Sequence, residues 1–353
     1  MTRKVPTLVL GGTGYVAGEL LRLIAGHPNL ELLGILSDSQ PGESVGQAFP
    51  HLAVAYPDTV FKSQAELETL LQQTAAPAIL AAAPHGVSAA LIDSLLGVAE
   101  AAGNQPRVVD ISADYRYASA AEYEAVYQHP HGAPQRLAQF TCAVPEHLAV
   151  ASTPHIAHPG CFATASLLAT VPLLKLGIAE PQIFISGVTG STGAGRKPVA
   201  GTHHPTRHSD LYAYNALGHR HAPEVKALAL AASGVEAHIA FVPHSGPLAR
   251  GIHATVQAVL KRPLDSKQIN GLLREFYAHS PFVRVLDTAP RVKEVVTSNY
   301  AHLCAVSDGR TVALMSVVDN LTKGAAGGAV QWMNRLLGLP ESAGLTAPAP
   351  GWT

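Results

Sequence analysis

The sequence predicts an α/β fold in which a doubly wound parallel sheet is followed by a second, α+β domain. Three observations support this prediction. Short apolar strands alternate with helical segments up to about residue 157, which is typical of a parallel sheet covered by helices. A glycine-rich turn joins the first strand to the first helix. Longer segments of alternating polarity follow after residue 157, and these favour an antiparallel or mixed sheet.

The first strand–turn–helix unit is the clearest element of the N-terminal domain. Residues 7–10, "TLVL", form a short β-branched and leucine-rich run, which predicts a buried strand. A turn over residues 11–17 follows. Leucine and isoleucine then recur at helical spacing from residue 20 to residue 24, and the predicted helix ends near Gly26.

Three more apolar runs complete the predicted parallel sheet, at residues 30–37, 78–84 and 107–112. A helix is expected between the last two, over residues 86–103, because its apolar residues are helically spaced and Gly103 closes it.

The second domain is predicted over residues 158–317, after an N-terminal domain over residues 1–157. Its strand candidates are residues 182–190, 236–246 and 250–260, where apolar and polar positions alternate. The C-terminal region, about 318–353, contains a loop and a helix, and we expect it to return to the first domain.

The glycine-rich turn predicts a dinucleotide-binding site and hence a Rossmann domain. Its pattern G-x-x-G-x-x-A lies between a strand and a helix, where glycines permit a tight turn and backbone N–H groups approach a phosphate. The choice between NAD and NADP is not decided locally. Ser37 and Ser39 could donate hydrogen bonds to a ribose phosphate, but Asp38 lies between them and no arginine is adjacent.

Cys161 is the candidate nucleophile. It follows Pro159-Gly160 and begins an apolar segment that predicts a helix, which Pro172 is expected to shorten or kink. A thiol at a helix N-terminus is stabilised as thiolate by the helix dipole, and nearby N–H groups can hold an oxyanion. The structural alternative is a buried, inert cysteine, because free cysteines are commonly packed in cores.

The segment "GHRHAPE" supplies candidate partners for this cysteine. It places His219, His221 and Glu224 within six residues. His221 could exchange a proton with the substrate while Glu224 orients it. The alternative is a solvated helix start, since the chain has 18 histidines. A metal site is not expected, because no H-E-x-x-H spacing occurs.

Two cationic segments are candidate anion sites. The loop "GVTGSTGAGRKP" contains Arg196 and Lys197, which could bind phosphate or carboxylate, or could simply be a basic tip on a surface loop. Arg250, in "PLARGI", is a second candidate for holding an anionic substrate.

Composition limits the class of protein. The chain has 353 residues and a net charge of -1, so no basic surface predicts nucleic-acid binding. Its three cysteines fit a reducing cytoplasm better than a disulfide framework. No apolar run approaches the roughly 20 residues that span a bilayer, and neither a signal peptide nor a membrane partner is expected.

Nine segments, in order along nearly the whole chain, resemble the N-acetyl-γ-glutamyl-phosphate reductase family of the aspartate-semialdehyde dehydrogenase superfamily. They are "GGTGYVAGELLRLIAGHP", "AAPHGVSA", "VVDISADYR", "AVPE", "HPGCFATA", "SGVTGSTGAGRKP", "GHRHAPE", "PHSGPLARGI" and "VVDNLTKGAAGGAVQ".

This resemblance implies an NADPH-dependent reduction of N-acetyl-γ-glutamyl phosphate to the semialdehyde, with release of phosphate, in arginine biosynthesis. It implies Cys161 as nucleophile, an active site that includes His219, His221 and Glu224, and His221 as the acid or base. The implied cofactor residues are Gly11, Thr13, Gly14, Tyr15, Val16, Ala17, Pro84, His85 and Asn320, and the residues after the second strand add Ser37 and Ser39 as candidates. The predicted substrate-binding residues are Arg116, Arg196, Lys197 and Arg250.

The chain departs from the family pattern at three places. Ala17 replaces the third glycine of the fingerprint, Cys142 lies where an aromatic residue is usual, and the "GVTGSTGAGRK" loop is longer than the common "GVSGAGRK". The longer loop leaves an alternative, the related reductase that acts on carrier-linked aminoadipyl phosphate in lysine biosynthesis. The long strands of the second domain and the resemblance together predict a homodimer or homotetramer.

Overall fold

The computed structural model describes residues 4–352, and the chain crosses several times between two units. The first unit contains the residues up to Cys142, Val150–His158 and Ala326–Thr346. The second contains Ala143–Ala149, Pro159–Ala325 and the residues from Ala347 onward. The short segment Ala143–Ala149 has no counterpart in the division expected from the sequence.

The first unit is built on a six-stranded sheet whose paired strands are all parallel. The strand order is β2-β1-β3-β4-β6-β5. The strands are β1 (Val5–Leu10), β2 (Leu30–Ile35), β3 (Ala78–Ala81), β4 (Arg107–Asp110), β5 (Phe140–Cys142) and β6 (His155–Ala157). The predicted parallel sheet is therefore confirmed.

Helices pack on this sheet in two groups, as a doubly wound fold requires. The first helix, Tyr15–Ala25, packs against β1, and the last helix, Gly327–Leu336, packs against β3 and β4. In the second group, leucines of the helices Gln64–Gln73 and Ser88–Ala101 are buried together with Leu8 and Leu10 of β1. The helices of this unit are α1 (Tyr15–Ala25), α2 (Val45–Ala48), α3 (Gln64–Gln73), α4 (Ser88–Ala101), α5 (Ala120–Tyr127) and α10 (Gly327–Leu336).

Three strands of the parallel sheet end earlier than expected, and the third of them, β4, stops at Asp110 instead of Ser112. β2 stops at Ile35, after which Leu36 forms only an isolated bridge with Lys62. β3 stops at Ala81, because the next residues leave the sheet and pass close to the glycine turn, where the Ala82 carbonyl lies 2.4 Å from a Cβ built on Gly11. The apolar runs continue past the strands since these loop residues are also packed.

The second unit contains a seven-stranded mixed sheet in the order β11-β12-β13-β10-β7-β9-β8. Its strands are β7 (Gln182–Thr189), β8 (Tyr212–Ala213), β9 (His238–Ser245), β10 (Ile252–Val259), β11 (Val283–Val285), β12 (Ala301–Ser307) and β13 (Thr311–Val318). Its helices are α6 (Cys161–Lys175), α7 (His204–Arg207), α8 (His221–Ser233) and α9 (Ser266–Phe276).

The two faces of the mixed sheet differ. One face packs against α6, α8 and α9 and forms the core of this unit. The other face carries the alternate residues of each strand: in β7, Gln182, Phe184 and Ser186 are exposed while Ile183 and Ile185 are buried. The predicted mixed sheet with helices on one side is confirmed.

Helix α6 runs unbroken from Cys161 to Lys175, so the expectation that Pro172 shortens it was wrong. Proline has no N–H to donate to the carbonyl four residues earlier, which belongs to Leu168. The hydroxyl of Tyr277 donates to that carbonyl instead, at 2.8 Å. Burial and the charge of Glu146 hold the pKa of Tyr277 well above 10, so the hydroxyl keeps the proton it donates.

Helix length is also relevant to membrane insertion. The longest helix among residues 4–352 is α6, with 15 residues. In this part of the chain, no helix is both long enough and apolar enough to cross a membrane.

The substitution of Tyr277 tests how α6 tolerates Pro172. We expect Tyr277→Phe to lower the free energy of unfolding by about 1 to 3 kcal/mol, because the buried Leu168 carbonyl loses its donor. In a Pro172→Ala background, residue 172 regains an N–H that can serve Leu168, so the same substitution should cost less. Urea unfolding of the unmodified protein, the two single variants and the double variant measures the difference. An equal loss of unfolding free energy in both backgrounds would contradict this account of the helix.

Candidate active site

Cys161 is the first residue of α6 and is partly buried. Gly160 precedes it as the N-cap in extended conformation and accepts a hydrogen bond from Thr164 N at 2.7 Å, which closes the first helical turn. The first N–H groups of a helix have no acceptor within that helix and carry partial positive charge. The thiol is therefore placed where a thiolate and a developing oxyanion are both stabilised.

A buried carboxylate fixes this helix start. Glu224, in the first turns of α8, is 1% exposed, and its Oε1 accepts a hydrogen bond from Gly160 N at 2.7 Å. His221 is the first residue of the same helix α8. Glu224 thus connects the beginning of the helix that carries the cysteine to the beginning of the helix that carries the histidine. Its Oε1 holds the cysteine's helix, and the expectation that Glu224 orients His221 stays a prediction.

The two histidines of "HRH" lie side by side, with ring centroids 4.7 Å apart. His219 Nδ1 accepts a hydrogen bond from His221 N at 3.1 Å. Burial, and then the charge of Arg220, lower the pKa of His219 to about 4. His219 is therefore neutral at pH 7, with its proton on Nε2, and is a poor acid. The assignment of proton exchange to His221 stays a prediction.

Cys161, His219 and His221 all line one cavity of about 510 Å³ in the second unit. The other walls come from the turn after β7, from β8 and the residues that follow it, and from Arg220. Tyr214 also lines it, and burial together with the charge of Cys161 raises the pKa of Tyr214 to about 12. Its hydroxyl therefore stays protonated and can donate a hydrogen bond within the cavity.

Of the four arginines and lysines predicted to bind substrate, none is among the residues that line this cavity. Arg196 and Lys197 are exposed on the loop after β7. Arg116 donates to the carbonyls of Ile111 and His158, at 2.7 and 3.1 Å, in the first unit. The cationic side chain that does line the cavity is that of Arg220.

Arg250 forms a two-pronged ion pair with Asp319, at 3.0 Å from Nε and 2.9 Å from Nη2. Asp319 is fully buried, and its carboxylate also accepts hydrogen bonds from the backbone N–H groups of Thr297, Leu321 and Thr322. In this arrangement, the guanidinium of Arg250 organises the segment after β13. Its predicted role in binding substrate stays a prediction.

Asn320 lies in this same segment and is 2% exposed. Its Oδ1 accepts from Gly251 N at 2.7 Å, and its Nδ2 donates to Thr192 Oγ1 at 3.0 Å. The side chain thus holds the turn after β7, which forms one wall of the cavity. Its expected position near the nicotinamide stays a prediction.

The glycine turn of the first unit has the geometry that a dinucleotide phosphate needs. A Cβ on Gly11 would lie 2.4 Å from the Ala82 carbonyl, and one on Gly12 would lie 2.5 Å from the Leu36 carbonyl. Gly14 is the N-cap of α1, which begins at Tyr15 and has no acidic residue in its first turn. The turn of Gly11, Thr13 and Gly14 therefore leads into an anion-accepting helix end followed by Val16 and Ala17.

The remaining predicted cofactor residues lie on loops of the first unit. Ser37 Oγ and Ser39 Oγ are 3.4 Å apart after β2. Pro84 and His85 are exposed after β3, and the adjacent Gly86 N donates to Asp114 at 2.8 Å, which fixes this loop. Cys142, at the end of β5, packs against the core of this unit.

Comparison with known proteins identifies the family. A family model described as "Semialdehyde dehydrogenase, NAD binding domain" matches residues 7–149, and one described as "Semialdehyde dehydrogenase, dimerisation domain" matches residues 161–320. The chain is 39% identical to N-acetyl-gamma-glutamyl-phosphate reductase of Ectopseudomonas mendocina, over 97% of this chain and 98% of that protein. It is 38% identical to the protein of the same name from Nitrosococcus oceani, over 96% of each chain.

The chain belongs to the N-acetyl-γ-glutamyl-phosphate reductase family. Its fold is that of solved semialdehyde dehydrogenases: aspartate semialdehyde dehydrogenase II from Vibrio cholerae aligns with a TM-score of 0.69 at 16% identity, covering 95% of this chain and 99% of that one. The family resemblance and the fold class that the sequence predicts are therefore both confirmed.

Several site residues were missed by the sequence reasoning. Arg220 and Tyr214 line the cavity, while Gly324 and the buried pair of Glu146 and Lys323 lie behind the cysteine. All five belong to, or lie close to, segments that the resemblance singled out. The signal for Arg220 was its place between the two histidines, whereas nothing in the sequence indicates which distant residue faces Gly324 or Lys323.

The Glu224 carboxylate tests how the cysteine's helix is held. We expect Glu224→Ala to lower the free energy of unfolding by about 1 to 3 kcal/mol, because Gly160 N is left buried without its acceptor. Glu224→Gln keeps an acceptor oxygen and should lose less of the free energy of unfolding.

The rate of Cys161 alkylation by iodoacetamide should fall with Glu224→Ala and less with Glu224→Gln. Glu236→Ala, at an exposed position, is the control; equal rates in all variants would contradict the role of Glu224.

Proposed function

We propose that the protein reduces N-acetyl-γ-glutamyl phosphate to N-acetyl-glutamate 5-semialdehyde with NADPH, releasing phosphate, by way of a thioester on Cys161. The observation that carries this proposal is the position of Cys161 at the start of α6, in one cavity with His219 and His221. Membership of the reductase family supports the same reaction and the same place in arginine biosynthesis.

The first step proposed is the attack of the Cys161 thiolate on the acyl carbon. A carbon–sulfur bond forms, the bond from the acyl carbon to the phosphate oxygen breaks, and inorganic phosphate leaves. The N–H groups at the start of α6 can stabilise the oxyanion that develops. Arg220, which lines the cavity, is the residue proposed to meet the charge of the phosphate.

Proton transfer is assigned to His221. It takes the proton of the Cys161 thiol before attack and passes it to the departing phosphate. After hydride addition, the tetrahedral oxyanion collapses, the carbon–sulfur bond breaks, and the aldehyde leaves Cys161 as the thiolate. His219 does not compete, because a pKa of about 4 makes it a weak base and its Nδ1 already accepts a hydrogen bond from His221 N. The protonated hydroxyl of Tyr214 is a further donor in the same cavity.

NADPH, when bound, supplies the hydride that reduces the thioester. The glycine turn is proposed to hold its phosphates, since it leads directly into the N-terminus of α1, which has no acidic residue in its first turn. Ser37 and Ser39 are proposed to bind at the ribose, with Pro84, His85 and Asn320 nearer the nicotinamide.

The alternative substrate, carrier-linked aminoadipyl phosphate, is not favoured, because the relatives from Ectopseudomonas mendocina and Nitrosococcus oceani are named N-acetyl-gamma-glutamyl-phosphate reductase. We place the reaction in the cytoplasm. The three cysteines support this, since none of them is in a disulfide in the described part of the chain.

We also propose that the exposed face of the seven-stranded sheet pairs with a second copy of the chain. The family model that spans residues 161–320 is described as a dimerisation domain, and this sheet lies within it. The strand register places five outward-facing residues in one row across neighbouring strands: Ala240, Phe184, Gln257, Ala313 and Val306. Phe184 and Val306 are 47% and 51% exposed, so the row offers apolar surface to a partner.

The reverse reaction tests the proposed activity. N-acetyl-glutamate semialdehyde, phosphate and NADP should give reduced cofactor, followed by its absorbance. Cys161→Ser should lower this rate at least about a thousandfold, because a neutral hydroxyl replaces the thiolate. Cys142→Ser, a matched control at a cysteine outside the cavity, should keep it. Undiminished turnover by folded Cys161→Ser would overturn the mechanism, and activity only with the carrier-linked aldehyde would overturn the substrate.

Self-association tests the proposed sheet interface. Phe184→Asp places a charge within this row and should shift the protein towards monomer in light scattering after size-exclusion chromatography. Val54→Asp adds the same charge at a position of the first unit that is 92% exposed and should leave the mass unchanged. If Phe184→Asp keeps the mass of the unmodified protein, the interface lies elsewhere.

A further inference from the structure

A fully buried ion pair lies in the second unit, outside the cavity. Lys323 Nζ and Glu146 Oε1 are 2.6 Å apart, and both side chains have no exposed surface. The ammonium is also 5.7 Å from the centre of the Phe282 ring. Burying two charges is costly, and a buried ion pair is often no more stabilising than a packed apolar pair. Stability alone is therefore a weak reason for this pair.

Lys323 belongs to an unusual piece of backbone, the π-helical turn Thr322–Ala326. Single π turns are rare and are frequent at functional sites. This one is held by Asp319, whose carboxylate accepts from Thr322 N at 2.7 Å and whose carbonyl accepts from Gly324 N at 2.9 Å. Arg250 adds a hydrogen bond to Thr322 Oγ1 at 3.1 Å.

The next residue in this turn, Gly324, contacts the proposed nucleophile. A Cβ built on Gly324 would lie 2.7 Å from the Cβ and 3.0 Å from the Cα of Cys161. Only a hydrogen atom fits at this position. The backbone of the π turn is thus packed directly against the residue that begins α6.

The partner of Lys323 is connected to the same helix by a second route. Glu146 is followed by His147, whose Nε2 lies 2.9 Å from the Tyr277 hydroxyl. That hydroxyl donates to Leu168 in the middle of α6. The segment of Glu146 and His147 is therefore linked both to the first residue of α6, by way of Lys323 and Gly324, and to its middle.

We propose that the Lys323–Glu146 ion pair is a positioning device for Cys161. The pair fixes the π turn, the turn packs Gly324 against the cysteine, and this packing directs the thiol into the cavity. The inference rests on the proposed function in taking Cys161 as the nucleophile. Lys323, Glu146 and Gly324 are positioning residues and need not touch substrate. A charged pair suits this role because its short, directional contact specifies one placement of the turn, which two apolar side chains would not do.

The test replaces both charges together, with Lys323→Met and Glu146→Leu in one protein. Removing both charges avoids an unpaired buried charge, so the double variant should unfold at nearly the urea concentration of the unmodified protein. If the pair positions Cys161, kcat should fall about tenfold or more while KM changes little, because a displaced nucleophile slows chemistry without weakening binding. The rate at which iodoacetamide modifies Cys161 should change as well. A stable double variant with unchanged kcat and alkylation rate would overturn the proposal.

Gly324→Ala provides a second test that does not depend on the ion pair. Its new methyl group would collide with Cys161, so kcat and the alkylation rate should change, whereas Gly271→Ala, where nothing lies within 4 Å, is the control. A Gly324→Ala protein that matches the control in both would also overturn the proposal. The alkylation rate needs no substrate, and Cys161→Ser identifies its signal. Failure of the positioning role is thus distinguished from failure of the proposed reaction, which only the activity of Cys161→Ser decides.

Discussion

The active site depends on one buried hydrogen bond, from Gly160 N to the carboxylate of Glu224. It joins the first turn of α6 to the first turns of α8, and so fixes the helix that carries Cys161 relative to the helix that carries His221. A helix start is the place where a thiolate gains most from the backbone dipole. This gain is useful only if the helix start keeps a fixed position relative to a proton acceptor. The buried carboxylate of Glu224 provides that constraint.

The segment after β13 completes the site from the other side. The carboxylate of Asp319 pairs with Arg250 and accepts hydrogen bonds from several backbone N–H groups, while the side chain of Asn320 holds the turn after β7. Arg250 and Asn320 both take part in holding this segment, and their predicted ligand contacts stay predictions. The side chains that line the cavity itself include those of Arg220, Tyr214 and the two histidines.

The sequence was informative where the physical signal is local and poor where it is long-range. The start of α6 at Cys161 followed from Pro159-Gly160 and an apolar run, and the parallel sheet followed from alternating strands and helices. The prediction that Pro172 shortens α6 was wrong, because the hydroxyl of Tyr277 replaces the missing N–H. Tyr277 lies 109 residues from Leu168, whose carbonyl accepts this hydrogen bond. The ion pair of Arg250 with Asp319 could not be predicted, because the two residues lie 69 positions apart along the chain.

The most direct test of the account is to trap the acyl group on the enzyme. The protein is mixed with N-acetyl-γ-glutamyl phosphate without NADPH, quenched in acid, digested and analysed by mass spectrometry. The account predicts the N-acetylglutamyl group on the peptide that contains Cys161, removable by hydroxylamine and missing in Cys161→Ser. An acyl group found only on another residue, or no acyl group from a preparation that turns over normally once NADPH is added, would contradict a thioester on Cys161.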